Sequence, residues 1–190
     1  TMDRDLSKAV VKVFVELYND KLIYKDKKLV NWDTQLQTAI SDLEVVQKEV
    51  QSQLYYIDYQ LENSDTKITI ATTRPETMMG DTAIAVNPKD ERYLNLIGKN
   101  VKIPVVNRTI KIIADRYADP KQGSGAVKIT PAHDFNDYEV GKRNKLQIIN
   151  IFEKDGKINK NGVKEYVGLD RFEARKLLIK QLKNDGKLVK

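Results

Sequence analysis

Between residues 53 and 130 the chain is a succession of short β-branched and aromatic runs broken by turn signals, with no regular alternation of strand and helix. The stretch from Gln53 to Leu61 is long enough for a full strand. Lys67 to Thr72 alternates behind the turn Asn63-Ser64-Asp65, which predicts a hairpin. Thr82 to Val86 has the pattern of a buried strand, Val101 to Ile113 predicts two short strands around Asn107-Arg108, and Ala126 to Thr130 predicts another. Strands in series without crossover helices point to an α+β fold: a largely antiparallel, barrel-like sheet with helices at its periphery.

The helices announce themselves by spacing and caps. Leu6, Ala9, Val10, Val13, Phe14, Leu17 and Tyr18 form one apolar stripe and predict a helix over 4–20. Leu22-Ile23-Tyr24 reads as extended, with a turn at Asp26-Lys27-Lys28. Thr38 to Val46 suits a helical turn and a strand equally. Asn87-Pro88 predicts a short helix with proline at its first position. Asp134 can cap a helix to about Asn144, and Asp170, with Glu173 three residues on, can cap one over 171–184 that ends at Asp185-Gly186. The character changes near residue 47, so we divide the chain into a connecting segment, 1–47, and a main domain, 48–190.

Composition narrows the classes. With 41% hydrophobic and 32% charged residues over 190 positions, the chain is a globular one with a sizeable core. No apolar run approaches the roughly 18 residues of a membrane helix. The start lacks the apolar region of a signal peptide, and Met2 in second place is expected of a piece of something longer. The absence of cysteine removes disulfides and thiolate metal sites and fits a cytoplasmic location. A net charge of +6 suits a polyanionic partner such as RNA, although lysine-rich composition alone can reflect genome bias.

Three segments carry the chemistry: Thr72-Thr73-Arg74-Pro75-Glu76-Thr77, the run from Gly123 to Lys128, and the run from Thr130 to Asp137. No G-x-S-x-G elbow, H-E-x-x-H helix or phosphate loop is present. The sole histidine, His133, has no second histidine or cysteine to complete a metal site. Hydroxyls, two cations and carboxylates suit water-mediated hydrolysis of an ester better than covalent catalysis. Thr72, Thr73, Arg74 and Thr77 leave a strand end, where their groups can bond an ester carbonyl and a ribose hydroxyl; alternatively Thr73 and Glu76 form a capping box. Gly123-Ser124-Gly125 permits close backbone approach. Lys128 shares a strand face with Ala126 and Thr130, and a half-buried ammonium there needs a phosphate or carboxylate partner unless it simply faces water. Asp134 and Asp137 lie one turn apart at a helix start; Asp134 suits the cap, leaving Asp137 to bind an ammonium.

Thr72 to Thr77 resembles the threonine-rich segment of the editing domains inserted in class I aminoacyl-tRNA synthetases. The run from Gly123 through Pro131-Ala132-His133-Asp134 to Asp137 resembles their second segment. Lys128, Asp137-Tyr138-Glu139-Val140-Gly141 and Leu169-Asp170-Arg171-Phe172 favour the valyl branch. Two departures stand out: Ser124 replaces the usual threonine, and Gln122 an aromatic.

The resemblance implies hydrolysis of threonine wrongly esterified to tRNA(Val). Thr72, Thr73, Lys128 and Asp137 would be catalytic; Arg74, Thr77, Ser124, Thr130, His133 and Asp134 would bind substrate. Asp137 would hold the substrate ammonium, with Arg74 orienting its carboxylate. The implied partners are the 3′ end of tRNA(Val) carrying threonine and the remainder of the synthetase chain, with this piece acting as a monomer away from membranes. The H-I-G-H and K-M-S-K-S motifs of the ATP-using site are absent, so this piece should not activate valine; the editing reaction is expected to need no cofactor, and no metal ligand is assigned. A leucyl or isoleucyl editing domain and a non-catalytic clamp for the tRNA 3′ end are the alternatives.

Overall fold

The computed structural model describes residues 3–190. Six strands make one sheet: β3 (Tyr55–Leu61), β4 (Lys67–Thr72), β5 (Ala83–Val86), β6 (Asn100–Lys102), β7 (Thr109–Ala114) and β8 (Ala126–Ile129), in the order β4-β3-β6-β7-β5-β8. Every pairing is antiparallel except that of β5 with β7. The outer strands β4 and β8 lie against each other, so the sheet curls into a nearly closed barrel. A separate hairpin, β1 (Asn31–Asp33) with β2 (Thr38–Ile40), precedes it, and α1 (Arg4–Asn19), α2 (Phe135–Arg143) and α3 (Arg171–Asn184) lie outside the sheet.

Burial explains the strand patterns. On β3 the residues Ile57, Tyr59 and Leu61 point into the barrel, with Ile68 and Ile70 from β4, while the intervening side chains are partly exposed. All four residues of β5 are buried, because Ile84 and Val86 join the barrel core while Ala83 and Ala85 face a smaller cluster with Ile129 and Val140. That second face is covered by α2. The helix comes close because Gly141 has no side chain: a Cβ there would sit 2.7 Å from Cγ and 2.9 Å from Cβ of Pro131. Alanine at 141 gains about 1 kcal/mol of helix propensity but overpacks a rigid ring at a cost of about 1–3 kcal/mol. We therefore expect Gly141→Ala to lower stability by ~1 kcal/mol, read from the urea midpoint at unchanged m-value.

Three local expectations resolve differently or for the first time. At Asn87-Pro88 no helix forms: Asn87 Oδ1 accepts from the Lys89 N–H at 3.0 Å and Nδ2 donates to Ala118 O at 2.8 Å, so the side chain offers the backbone a turn instead. Thr38 to Val46 becomes strand β2 followed by a single 3₁₀ turn, Asp42–Glu44, boxed by Ser41 and Glu44. The apolar stripe of α1 forms the expected helix, yet none of its residues is buried among the described residues. Among them, too, no helix is long and apolar enough to cross a membrane.

Candidate functional site

At one end of the barrel, the termini of β4 and β8 and the start of α2 enclose a cleft of about 260 Å³. It is lined by nine of the ten residues singled out from sequence: Thr72, Thr73, Arg74, Thr77, Lys128, Thr130, His133, Asp134 and Asp137. Leu54, Ala71, Tyr117 and Val127 complete the walls. Ser124 is not among them. Its hydroxyl donates to Ala126 O at 3.1 Å and accepts from the Ala126 N–H at 3.3 Å, closing its own turn. The adjacent glycine serves the barrel: a Cβ on Gly123, whose φ is +55°, would lie 2.8 Å from Ala71 Cβ on β4.

The threonine-rich segment turns the chain away from β4 through its own hydroxyls. Thr72 Oγ1 accepts from the Arg74 N–H at 3.1 Å, and Thr77 Oγ1 donates to Arg74 O at 2.9 Å. Pro75 then opens a wholly buried 3₁₀ helix, Pro75–Gly80. The capping box of Thr73 with Glu76 does not form. Thr73 stays exposed, and Glu76 turns inward, fully buried, to receive Nε and Nη2 of Arg175 from α3, both at 2.6 Å. A carboxylate with a bidentate guanidinium in reach takes that bond over a single backbone N–H.

Lys128 finds a carboxylate partner, Asp81. The ammonium donates to Thr77 Oγ1 at 2.7 Å, Thr130 Oγ1 at 2.5 Å and Asp81 Oδ1 at 3.2 Å. Asp81 is completely buried; it also accepts from Thr130 Oγ1 at 2.6 Å and from Tyr59 OH at 2.8 Å. Burial pushes its carboxyl above the ordinary value, opposed by the Lys128 charge and the hydroxyl bonds. Sequence reading passed over Asp81; the one signal for it was that a buried Lys128 demands a counter-charge somewhere.

Asp134 caps α2, accepting from the N–H groups of Asn136 and Asp137 at 2.9 and 3.0 Å. Asp137 accepts from the Thr130 N–H through Oδ2 at 2.9 Å. Its carboxyl is pushed up to about 6, by burial above all, against the pull of Lys128 and the Thr130 bond. Arg74 does not orient it: Nη1 donates to His133 O at 2.7 Å instead. His133 Nε2 accepts from the Ile151 N–H at 3.1 Å, and the ring meets Phe152 edge-on at 4.6 Å. Burial, then the charges of Arg74 and Lys128, lower its pKa to about 3. His133 is thus a neutral ring whose acceptor nitrogen is occupied, so it is no general base. Tyr117, another residue sequence reading missed, stands in the wall near Asp134 and Asp137, whose charges join burial in raising its phenol. Among the described residues, no group of three or more histidine, cysteine, aspartate or glutamate side chains is placed to hold a metal.

The nearly closed barrel with its peripheral helices is similar to the fold of a synthetase CP1 domain. The GlLeuRS-CP1 crystal structure superposes with a TM-score of 0.58 at 13% identity, over 73% of this chain and 98% of that one. A LeuRS–tRNA–LeuAMS ternary complex from Agrobacterium radiobacter K84 superposes at 0.55 and 20% identity, over 92% of this chain and 30% of that one. The chain belongs to the class I tRNA synthetases of the I, L, M and V group, whose family model matches residues 1–182. It is 68% identical to the valine–tRNA ligase of Pelagibacter ubique over 190 residues and 57% identical to that of Lactococcus lactis over 189. In both cases all of this chain is covered, and it spans only 22% and 21% of those ligases.

Proposed function

We propose that residues 48–190 hydrolyse the ester of threonine mistakenly attached to tRNA(Val), and that residues 1–47 connect them to the synthetic core of a valine–tRNA ligase. The observation that carries this reading is the cleft itself, whose walls bring Asp137 together with Thr72, Thr73, Thr77 and Thr130. The Asp137 carboxylate binds the aminoacyl ammonium. Thr72 accepts a backbone N–H, which leaves its own proton for the ester carbonyl, and exposed Thr73 can do the same. Water adds to that carbonyl, the bond to the ribose oxygen breaks, and the ribose oxygen takes up the proton, releasing free threonine. No side chain need act as the base, and neither ATP nor another cofactor enters the step. The chain works in this as a monomeric part of a cytoplasmic enzyme.

The chemical need is clear. Threonine is nearly isosteric with valine, and a hydrophobic valine pocket rejects it only about 10²-fold, an established figure for such enzymes. A second pocket with polar groups inverts the selection, since valine leaves them unpaired at a cost of about 1–3 kcal/mol.

The test is deacylation of purified Thr-tRNA(Val) and Val-tRNA(Val) by the chain. Rapid loss of threonine with valine retained is the expected result. The net charge of +6 favours a second reading, a non-catalytic clamp for the tRNA 3′ end. That reading gains if neither ester is cleaved while tRNA still binds with a steep salt dependence.

A further inference from the structure

Asp81 lies beneath the cleft and outside its lining, yet each of its oxygens has a partner. Oδ2 takes the Tyr59 hydroxyl, Oδ1 takes Thr130 and Lys128, and its backbone carbonyl takes Nη2 of Arg108 at 2.8 Å. Gly80 lets the turn press down on this point: a Cβ there would meet Ile149 O at 2.9 Å and Thr130 Cγ2 at 3.2 Å.

The protons around Asp81 can be counted. An ammonium has three N–H donors, and Lys128 directs them to Thr77, Thr130 and Asp81, leaving none for a ligand. A hydroxyl has one proton. That of Thr77 goes to Arg74 O and that of Thr130 to Asp81, which, as a carboxylate against a cation, can only accept. Each hydroxyl already takes one bond from Lys128, so each keeps a single lone pair for whatever enters.

We propose that Asp81 is a positioning residue for the hydrolysis described above. By accepting from Lys128 and Thr130 together, it makes the Thr77–Thr130 wall of the cleft purely proton-accepting, and so selective for an aminoacyl side chain that carries a hydroxyl donor. Without Asp81 the Thr130 proton is free to turn outward, and the wall no longer separates a hydroxyl from a methyl by the sense of its bonds. The proposal rests on the editing reading for its substrate, but the wiring itself is a property of the unliganded chain.

The test is Asp81→Asn. An amide presents N–H groups on one side, so either Tyr59 or Thr130 must redirect its proton, and Lys128 loses its counter-charge. We expect the threonyl-over-valyl preference in deacylation to fall about ten-fold, with threonyl hydrolysis losing more than valyl hydrolysis. A merely structural role lowers both rates by one factor, and an unchanged ratio overturns the proposal. Should Asp81→Asn fail to fold, Thr130→Val decides, because it removes the hydroxyl whose proton Asp81 directs and leaves the Thr77 acceptor in place. Its ratio should fall by a smaller factor, and an unmoved ratio again overturns the proposal. Lysine ¹⁵N spectra of the free chain give a readout independent of catalysis. The Lys128 ammonium should be protected from exchange in the wild type and lose that protection in Asp81→Asn; an unchanged signal counts against the proposal. A wild type that cleaves neither ester while the ammonium signal responds to Asp81→Asn means that the editing reading has failed and the wiring stands.

Discussion

Arg175→Ala is expected to cost the fold about 3–5 kcal/mol, the range for breaking a buried ion pair from one side. Glu76 is completely buried, and both its oxygens are held at 2.6 Å by the Arg175 guanidinium. With that side chain gone, the nearest cation is Nε of Arg74, 3.9 Å from Oε1 and too far for a hydrogen bond. A carboxylate then remains in the core with no adequate partner. At this chain length such a loss corresponds to a fall in Tm of roughly 10 °C. The 3₁₀ helix carrying Thr77 is the element that Glu76 anchors to α3, so deacylation should fall with stability. Replacing both partners by apolar residues, Glu76→Leu with Arg175→Met, should recover most of the loss, because it removes the buried charge along with its partner. A single substitution costing under ~1 kcal/mol would show the pair to be no stronger than a surface one.

Asp137→Asn is expected to move activity and stability in opposite directions. The asparagine oxygen can still accept from the Thr130 N–H, so the local geometry survives while the charge is lost. Removing one side of a partly buried carboxylate–ammonium contact costs about 2–5 kcal/mol, so kcat/KM for threonyl ester hydrolysis should drop by about two to three orders of magnitude. Stability should rise. The folded carboxyl titrates at about 6 and the unfolded one at 3.8, so between those values the folded state binds the extra proton. Wild-type stability therefore decreases as pH climbs through this window and levels off above about 6, at a cost of about 3 kcal/mol. The asparagine variant escapes that cost at neutral pH and loses its advantage below pH 4, where the wild type is protonated in both states. Urea titrations between pH 4 and 8 test the crossing. In the same window, wild-type kcat/KM should rise with pH as the carboxylate forms. A variant that is less stable than wild type at pH 7.5, or that deacylates at the wild-type rate, contradicts this account of Asp137.

Much of the site was legible because its chemistry is local in the chain. The segments from Thr72 to Thr77 and from Lys128 to Asp137 each enter the cleft as a unit, and Asp134 caps α2 as its spacing predicts. The strand order of the hairpin β3–β4 follows from alternation and a turn. Other features failed for identifiable reasons. The Thr73 and Glu76 capping box loses to Arg175, which lies 99 residues away and offers a stronger bond. Asn87-Pro88 carries a good helix-start pattern, but the Asn87 side chain bonds Lys89 and Ala118 instead. Ser124 sits in a motif that reaches the cleft, yet its hydroxyl folds back on Ala126.

Periodicity and capping are properties of neighbouring residues, so sequence alone determined the three helices, the strands of the barrel and which segments could carry polar chemistry. Proton direction is not such a property. Whether Lys128 offers a free ammonium, whether His133 can act as a base, and which way the Thr130 hydroxyl points depend on Asp81, Ile151 and Tyr59. Those residues reach the site from other strands and loops, and a buried donor or acceptor is satisfied by whatever the fold brings within about 3 Å. Only the nearly closed barrel, by bringing these groups together, decided the sense of those bonds.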